Sequence, residues 1–320
     1  MLNVGILGLG GISQAHVSGW LNTKDARVVA VCDIRPQQLT RPVEQTGAKA
    51  YTDFETMMSR EKLDILDICL PTYLHSEYAV KAMDKGCHVL CEKPAGLDFA
   101  DLEREYEAAR RNGVHFMIAQ VLRFWPEYLA LKEMVDKGTL GRVLSGHMSR
   151  LSGIPVWSWD NWMKDKDRSG LVPFDLHIHD IDFMVSVFGA PKTVMSRRAG
   201  SESQDAVHAL YEYDGFFITC DSAWYNCDYP FAASFRFQFE KGVVEYTGGV
   251  LHVYEEDGTS RVITPGIEDG EAHENGLGLP SSSGYENEIK YFVHCVLENQ
   301  PTSRVPEEEL KTVLSILRRL

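Results

Sequence analysis

Short apolar runs alternate with amphipathic stretches over roughly the first third of this chain. Val4-Gly-Ile-Leu, Arg27-Val-Val-Ala-Val-Cys, Ile65-Leu-Asp-Ile-Cys-Leu, His88-Val-Leu-Cys and Val114-His-Phe-Met-Ile-Ala are nearly continuous in apolar residues. Runs of this kind predict strands buried on both faces of a parallel sheet. Between them, His75 to Lys85 and Asp98 to Arg111 read as amphipathic helices, the second capped by Asp98 and ended before Gly113. The alternation predicts an α/β fold, a Rossmann-type doubly wound domain over residues 1–121.

The pattern then changes. Glu127 to Lys137 reads as a helix closed by Gly138, and Phe174 to Phe188 as another closed by Gly189. From Lys192 to Thr264 the signals are strands joined by turns at Asp214-Gly215, Lys241-Gly242 and Asp257-Gly258. Residues 122–320 are therefore expected to form an α+β domain with a large open, mostly antiparallel sheet. Pro265 to Gly284, turn-rich and acidic, is expected to be a surface loop or lid. Helices from about Tyr285 to Glu298 and from Glu307 onward close the chain, and they are expected to return to the first domain.

Composition narrows the function. A formal charge of −14 argues against a nucleic-acid or anionic-membrane partner, both of which need a basic face. No apolar run reaches the roughly 20 residues that span a bilayer, and the chain opens directly into a strand-like segment without a basic leader. The seven cysteines are scattered, with no Cys-x-x-Cys pair. A reduced, cytoplasmic protein is expected.

Gly8-Leu9-Gly10-Gly11-Ile12-Ser13 follows a strand and opens a helix, so backbone N–H groups and the helix N-terminus are expected to meet a pyrophosphate. Asp33, at the end of the next strand, suits the adenosine ribose hydroxyls. A carboxylate there repels a 2′-phosphate and favours NAD, whereas Arg35 two residues on keeps NADP possible. Leu70-Pro71-Thr72 and Glu92-Lys93-Pro94 each end a strand, on the edge where open α/β sheets bind ligands. Lys93 can hydrogen-bond a substrate hydroxyl there; the alternative is a surface ion pair with Glu92. Asp175 and His179 are four residues apart, hence on one face of a helix, where a carboxylate orients an imidazole that takes a hydroxyl proton. His177, His179, Asp180 and Asp182 admit a metal reading only on a strand, so no metal is expected. Trp157, Trp159 and Trp162 suit either a sugar face or an apolar anchor.

Nearly the whole chain resembles the Gfo/Idh/MocA family of NAD(P)-dependent oxidoreductases. The likeness rests on Gly8-Leu-Gly10-Gly-Ile-Ser13-x-x-His16, Val31-Cys-Asp33, Pro71-Thr72-x-x-His75, Gly86-Cys-His-Val-Leu-Cys-Glu92-Lys93-Pro94, Arg123-Phe-x-Pro126 and Asp175-Leu-His-Ile-His179-Asp-Ile-Asp182. The resemblance implies hydride transfer between nicotinamide and a hydroxyl-bearing carbon of a sugar, cyclitol or related polyol. It implies a catalytic set of Lys93, Asp175 and His179, with His179 the proton acceptor. His75, Glu92 and Gln120 would join Gly8 to Ile12, Asp33, Arg35, Leu70, Pro71, Thr72 and Lys93 around the cofactor. Arg123 and Trp162 would join Lys93, Asp175 and His179 at the substrate. A homodimer or homotetramer through the C-terminal sheet is also implied. His177 departs from the family's glycine and is expected to crowd the pocket or add a polar contact. Pro173 is expected to shift the entry to the helix, and the chain stops at Leu320 inside an expected helix. Two rivals stand beside the dehydrogenase: a redox-neutral glycosidase or lyase on the same fold, and a non-catalytic dinucleotide or sugar sensor.

Overall fold

The computed structural model describes residues 1–201, 204–263 and 284–320. The expected acidic loop lies outside these residues, except for Gly284, which opens a helix. The chain forms two compact units.

In the first unit, six parallel strands are β1 (Leu2–Leu7), β2 (Ala26–Cys32), β3 (Lys49–Tyr51), β4 (Ile65–Ile68), β5 (His88–Glu92) and β6 (Phe116–Ala119). Their order is β3-β2-β1-β4-β5-β6. The winding reverses at β1, which opens a crevice beyond the carboxyl ends of β1 and β4. The apolar runs are buried as expected: every residue of β4 and β6 is inaccessible. The helix Phe99–Asn112 begins where Asp98 Oδ1 accepts the Asp101 N–H at 3.0 Å, and ends at Gly113, whose φ of 62° is left-handed. The helix Gly284–Leu297 belongs to this unit. It packs on the helix Ser13–Leu21 at Gly19, where a Cβ would meet Ile289 Cδ1 at 2.6 Å. The fold of this unit therefore draws on residues well beyond position 121.

The second unit holds an eight-stranded sheet: β7 (Val143–Gly153), β8 (Thr193–Ser201), β9 (Gln204–Glu212), β10 (Phe217–Tyr225), β11 (Ala232–Phe239), β12 (Gly242–Thr247), β13 (Val250–Glu255) and β14 (Ser260–Ile263). The order is β14-β13-β12-β11-β7-β10-β9-β8, antiparallel except where β7 lies parallel to β10. All three expected glycine turns join neighbouring strands. The central strand β7 escaped the sequence reading. Its buried face is Gly146, Met148 and Arg150, so two of the three core positions hold residues that do not register as apolar.

Candidate functional site

Gly8 follows β1 with φ of 87°, and a Cβ there would lie 2.7 Å from the Cys69 carbonyl oxygen. Only glycine fits this turn. At Gly10 a Cβ would meet nothing within 4 Å, so the backbone stands open to a ligand. Ser13 Oγ donates to the Gly10 carbonyl at 2.7 Å, closing the turn. Ile12 caps the following helix with no side-chain hydrogen bond. The turn thus offers uncapped amide groups to an anion, the arrangement a dinucleotide pyrophosphate requires.

Asp33 braces the same turn. Its Oδ2 accepts the Leu9 N–H at 2.8 Å, and its Oδ1 accepts the Arg35 backbone N–H at 2.8 Å. The Arg35 guanidinium closes on both carboxylate oxygens at 3.0 Å. Asp33 and Arg35 therefore act as a pair. A 2′-phosphate would have to draw Arg35 away from that partner.

The strand ends beside the turn are tied together by histidines. His75 Nδ1 lies 2.7 Å from the Pro94 carbonyl and Nε2 2.7 Å from the Leu70 carbonyl. Thr72 begins a short 3-10 turn and is buried. Glu92 is buried at the end of β5, and its Oε2 accepts the Lys93 backbone N–H at 3.0 Å. Glu92 is thus spent on His16 and this backbone group. From Val89 to Gly96 every residue is buried except Lys93. Gln120 is buried just past β6, with its backbone N–H donating to the Ile118 carbonyl at 2.9 Å.

In the second unit Asp175 and His179 straddle a change of helix. Pro173–His177 is a π turn, and Ile178–Phe188 continues as α-helix. The entry is strained: Gly170 and Leu171 both have left-handed φ, 73° and 62°, and a Cβ on Gly170 would meet the Phe174 ring at 2.4 Å. A left-handed leucine costs about 1–2 kcal/mol, which the surrounding packing must offset. Pro173 is the first residue of the π turn that follows this strained entry. From Val172 to Val185 every residue is buried except Asp175 and His179. Single π turns of this kind are frequent at functional sites.

The neighbours of that pair are committed elsewhere. His177 is inaccessible, with Nδ1 2.8 Å from Ser222 Oγ and Nε2 2.7 Å from Tyr211 Oη. Burial pushes its ring down to about 3, so it is a neutral core residue; of the two expectations for it, the added polar contact is seen, with Ser222 and Tyr211, inside the core. Asp180 pairs with Arg150 at 2.8 Å and Asp182 with Arg123 at 2.7 Å. With His177 held by hydroxyls, three of the four residues of the metal reading, His177, Asp180 and Asp182, point to separate partners. Arg123 corrects an expectation. Its guanidinium is buried, grips both Asp182 oxygens at 2.7 and 2.8 Å and pairs with Glu309. It is an internal strut rather than a substrate ligand. Trp162 is half-buried against a cluster of Met163, Val172, Leu176, Val207 and Trp224, while Trp157 and Trp159 are exposed.

Nothing local in the sequence marks Arg150, which lies on a strand without an apolar pattern. Nor does the local pattern join His16 to Asp67, which are buried together in the first unit. A charged residue inside an apolar strand, Asp67 in Ile65-Leu-Asp-Ile, was the available signal, because buried carboxylates need partners.

Residues 2–120 match the model of an oxidoreductase family with an NAD-binding Rossmann fold. Residues 128–245 match the GFO/IDH/MocA C-terminal domain. Among curated proteins, the chain is 30% identical over 193 residues to 2,7-anhydro-N-acetylneuraminate hydratase of Mediterraneibacter gnavus, covering 60% of this chain and 51% of that protein. It is 31% identical over 195 residues to D-glucoside 3-dehydrogenase of Escherichia coli K12, covering 59% of this chain and 55% of that one. The chain thus spans about half the length of these curated relatives. Among solved structures, an oxidoreductase from Agrobacterium radiobacter in complex with NAD+, L-tartaric acid and magnesium superposes with a TM-score of 0.84. Its identity is 18%, over 99% of this chain and 94% of that one. The two family models fall one on each unit's sheet, and the chain belongs to the GFO/IDH/MocA oxidoreductase family.

Proposed function

We propose that this protein is an NAD-dependent dehydrogenase or reductase acting on a hydroxyl-bearing carbon of a sugar, cyclitol or related polyol. The observation that carries the reading is selective exposure. One buried run leaves only Lys93 accessible, and another leaves only Asp175 and His179. In this reading the Gly8 to Ile12 turn and Asp33 hold the dinucleotide, with NAD favoured because the Asp33 carboxylate repels a 2′-phosphate. Bound nicotinamide would supply the hydride acceptor or donor. Lys93 would hold the reacting hydroxyl, and His179, oriented by Asp175, would take its proton.

The setting is part of the same proposal. The seven cysteines are free, six of them buried, which suits a reducing cytoplasm. No described helix is long and apolar enough to cross a membrane. The eight-stranded sheet is proposed to carry a homo-oligomer, which light scattering would measure.

The test begins with separate titrations of the purified protein with NAD and NADP. A panel of sugars and cyclitols is then screened for absorbance of the reduced cofactor. Lys93→Ala and His179→Ala are each expected to lower kcat by about 10²-fold or more. Near-normal turnover in both variants would sink the assignment. A second reading, a redox-neutral hydratase, lyase or glycosidase, is favoured by the hydratase among the relatives. It predicts product formation with catalytic NAD and no net reduction.

A further inference from the structure

Beneath Lys93 lies a chain of buried polar groups that the proposed mechanism does not use. His16, on the helix after the glycine turn, has Nδ1 at 2.9 and 3.0 Å from the two Asp67 oxygens. Its Nε2 lies 2.9 Å from Glu92 Oε1. Trp20 Nε1–H donates to Asp67 Oδ2 at 2.6 Å, and the Tyr285 ring lies 5.8 Å from the imidazole. Glu92 Oε2 in turn accepts the Lys93 backbone N–H.

A neutral imidazole has one N–H and one bare nitrogen. With a carboxylate oxygen at hydrogen-bond distance on each side, the neutral ring would set a lone pair against a buried carboxylate. Only the imidazolium serves two ionised carboxylates. Burial alone would push the ring down, but the charge and hydrogen bond of Asp67 hold it well above its ordinary value. Burial would likewise raise the Glu92 carboxyl, yet His16 and the Lys93 charge hold it below the usual range. His16, Asp67 and Cys69 lie close enough to suggest a cation site. Both ring nitrogens are already engaged, however, and burial with the Asp67 charge pushes the Cys69 thiol up to about 12. The cluster is an ion pair with a thiol beside it.

We propose that His16 is a positioning residue for Lys93: an imidazolium clamped between Asp67 and Glu92, it fixes the carboxylate that holds the Lys93 backbone. His75 secures the far end of the same turn through the Pro94 carbonyl. The inference rests on the reading of Lys93 as the residue that holds the reacting hydroxyl. A wandering Glu92 would let Lys93 shift, and a displacement of about 1 Å at a reacting group costs on the order of 10²-fold in rate.

His16→Gln, which can still donate one hydrogen bond but carries no charge, is expected to lower kcat by about 10- to 10²-fold. The Kd for NAD and the substrate KM should each stay within about threefold, since the glycine turn and the substrate contacts are untouched. Equal loss in NAD affinity and kcat, or kcat within twofold of wild type in a folded variant, overturns the proposal. Where His16→Gln fails to fold, Glu92→Asp carries the test. It keeps the charge and shortens the link to Lys93 by one methylene, and the same split is expected. The charge state is read independently from the 15N resonances of the His16 ring in ligand-free wild type. Two protonated nitrogens are expected at neutral pH, above the ordinary histidine value, and one bare nitrogen overturns the clamp. A wild type that neither binds NAD nor turns over any polyol would defeat the functional reading instead, while the ring-nitrogen measurement still judges His16.

Discussion

His16 and His177 lie in different units, both fully inaccessible, and their surroundings favour different charge states. His16 sits between two carboxylates and is held as a cation. His177 sits between two hydroxyls and is held neutral, its ring pushed down to about 3 by burial. Burial alone predicts the neutral form for both, because desolvation opposes charge. The partners decide. A hydroxyl both donates and accepts, so Tyr211 and Ser222 satisfy either nitrogen without a proton being added. Carboxylates at neutral pH only accept, so Asp67 and Glu92 demand two donors from one ring.

The largest test of this contrast removes a charged partner. Asp67→Ala leaves Trp20 without its acceptor and His16 with one carboxylate instead of two. Breaking a buried pair in this way is expected to cost about 3–5 kcal/mol, measured by urea denaturation at pH 7. A loss of under about 1 kcal/mol would mean that the pair is not charged.

The next test reads the two rings through pH. Above the unfolded histidine value of about 6.5, neutral His177 contributes its full stability. As pH falls from there toward about 3, the unfolded chain takes a proton that the folded ring refuses, and stability is lost. His16 runs the other way. Its contribution is full below about 6.5 and is lost as pH rises through its raised folded value. Each limb should slope by up to about 1.4 kcal/mol per pH unit. His177→Gln is expected to flatten the acid limb, and His16→Gln the alkaline one. If either variant changed both limbs equally, the contrast would fail.

Smaller effects are expected at the neutral site. Tyr211→Phe removes one of the two groups serving His177 and should cost about 1–2 kcal/mol. Ser222→Ala should cost about 1 kcal/mol, because Tyr211 still holds the ring. Thermal melts of the two variants side by side give both values. A cost at Ser222 matching that at Asp67 would erase the distinction between neutral and charged partners.

The same contrast explains which parts of the molecule were legible in the sequence. Strands β1, β2, β4, β5 and β6 were readable because a strand buried on both faces is mostly apolar, with Asp67 and Glu92 as exceptions that His16 partners. The helices ending at Gly113, Gly138 and Gly189 were readable because the left-handed or extended closing turn favours glycine. Strand β7 was hidden because Arg150 occupies a core position that only Asp180 and Tyr128, both distant in sequence, make tolerable. Arg123 read as a substrate ligand because a motif arginine near a candidate site looks available. Its partners Asp182 and Glu309 lie 59 and 186 positions away.

Local chemistry thus determined the doubly wound first unit, the hairpin sheet of the second, and the identity of Lys93, Asp175 and His179 as the residues to watch. Backbone period, turn residues and short motifs act over a few positions, and the chain states them directly. Tertiary structure alone decided which buried polar residues are charged, which arginines are struts, and that His177 belongs to the core. Those outcomes depend on partners brought together from distant positions, and a pairing free energy has no value until both groups leave water together.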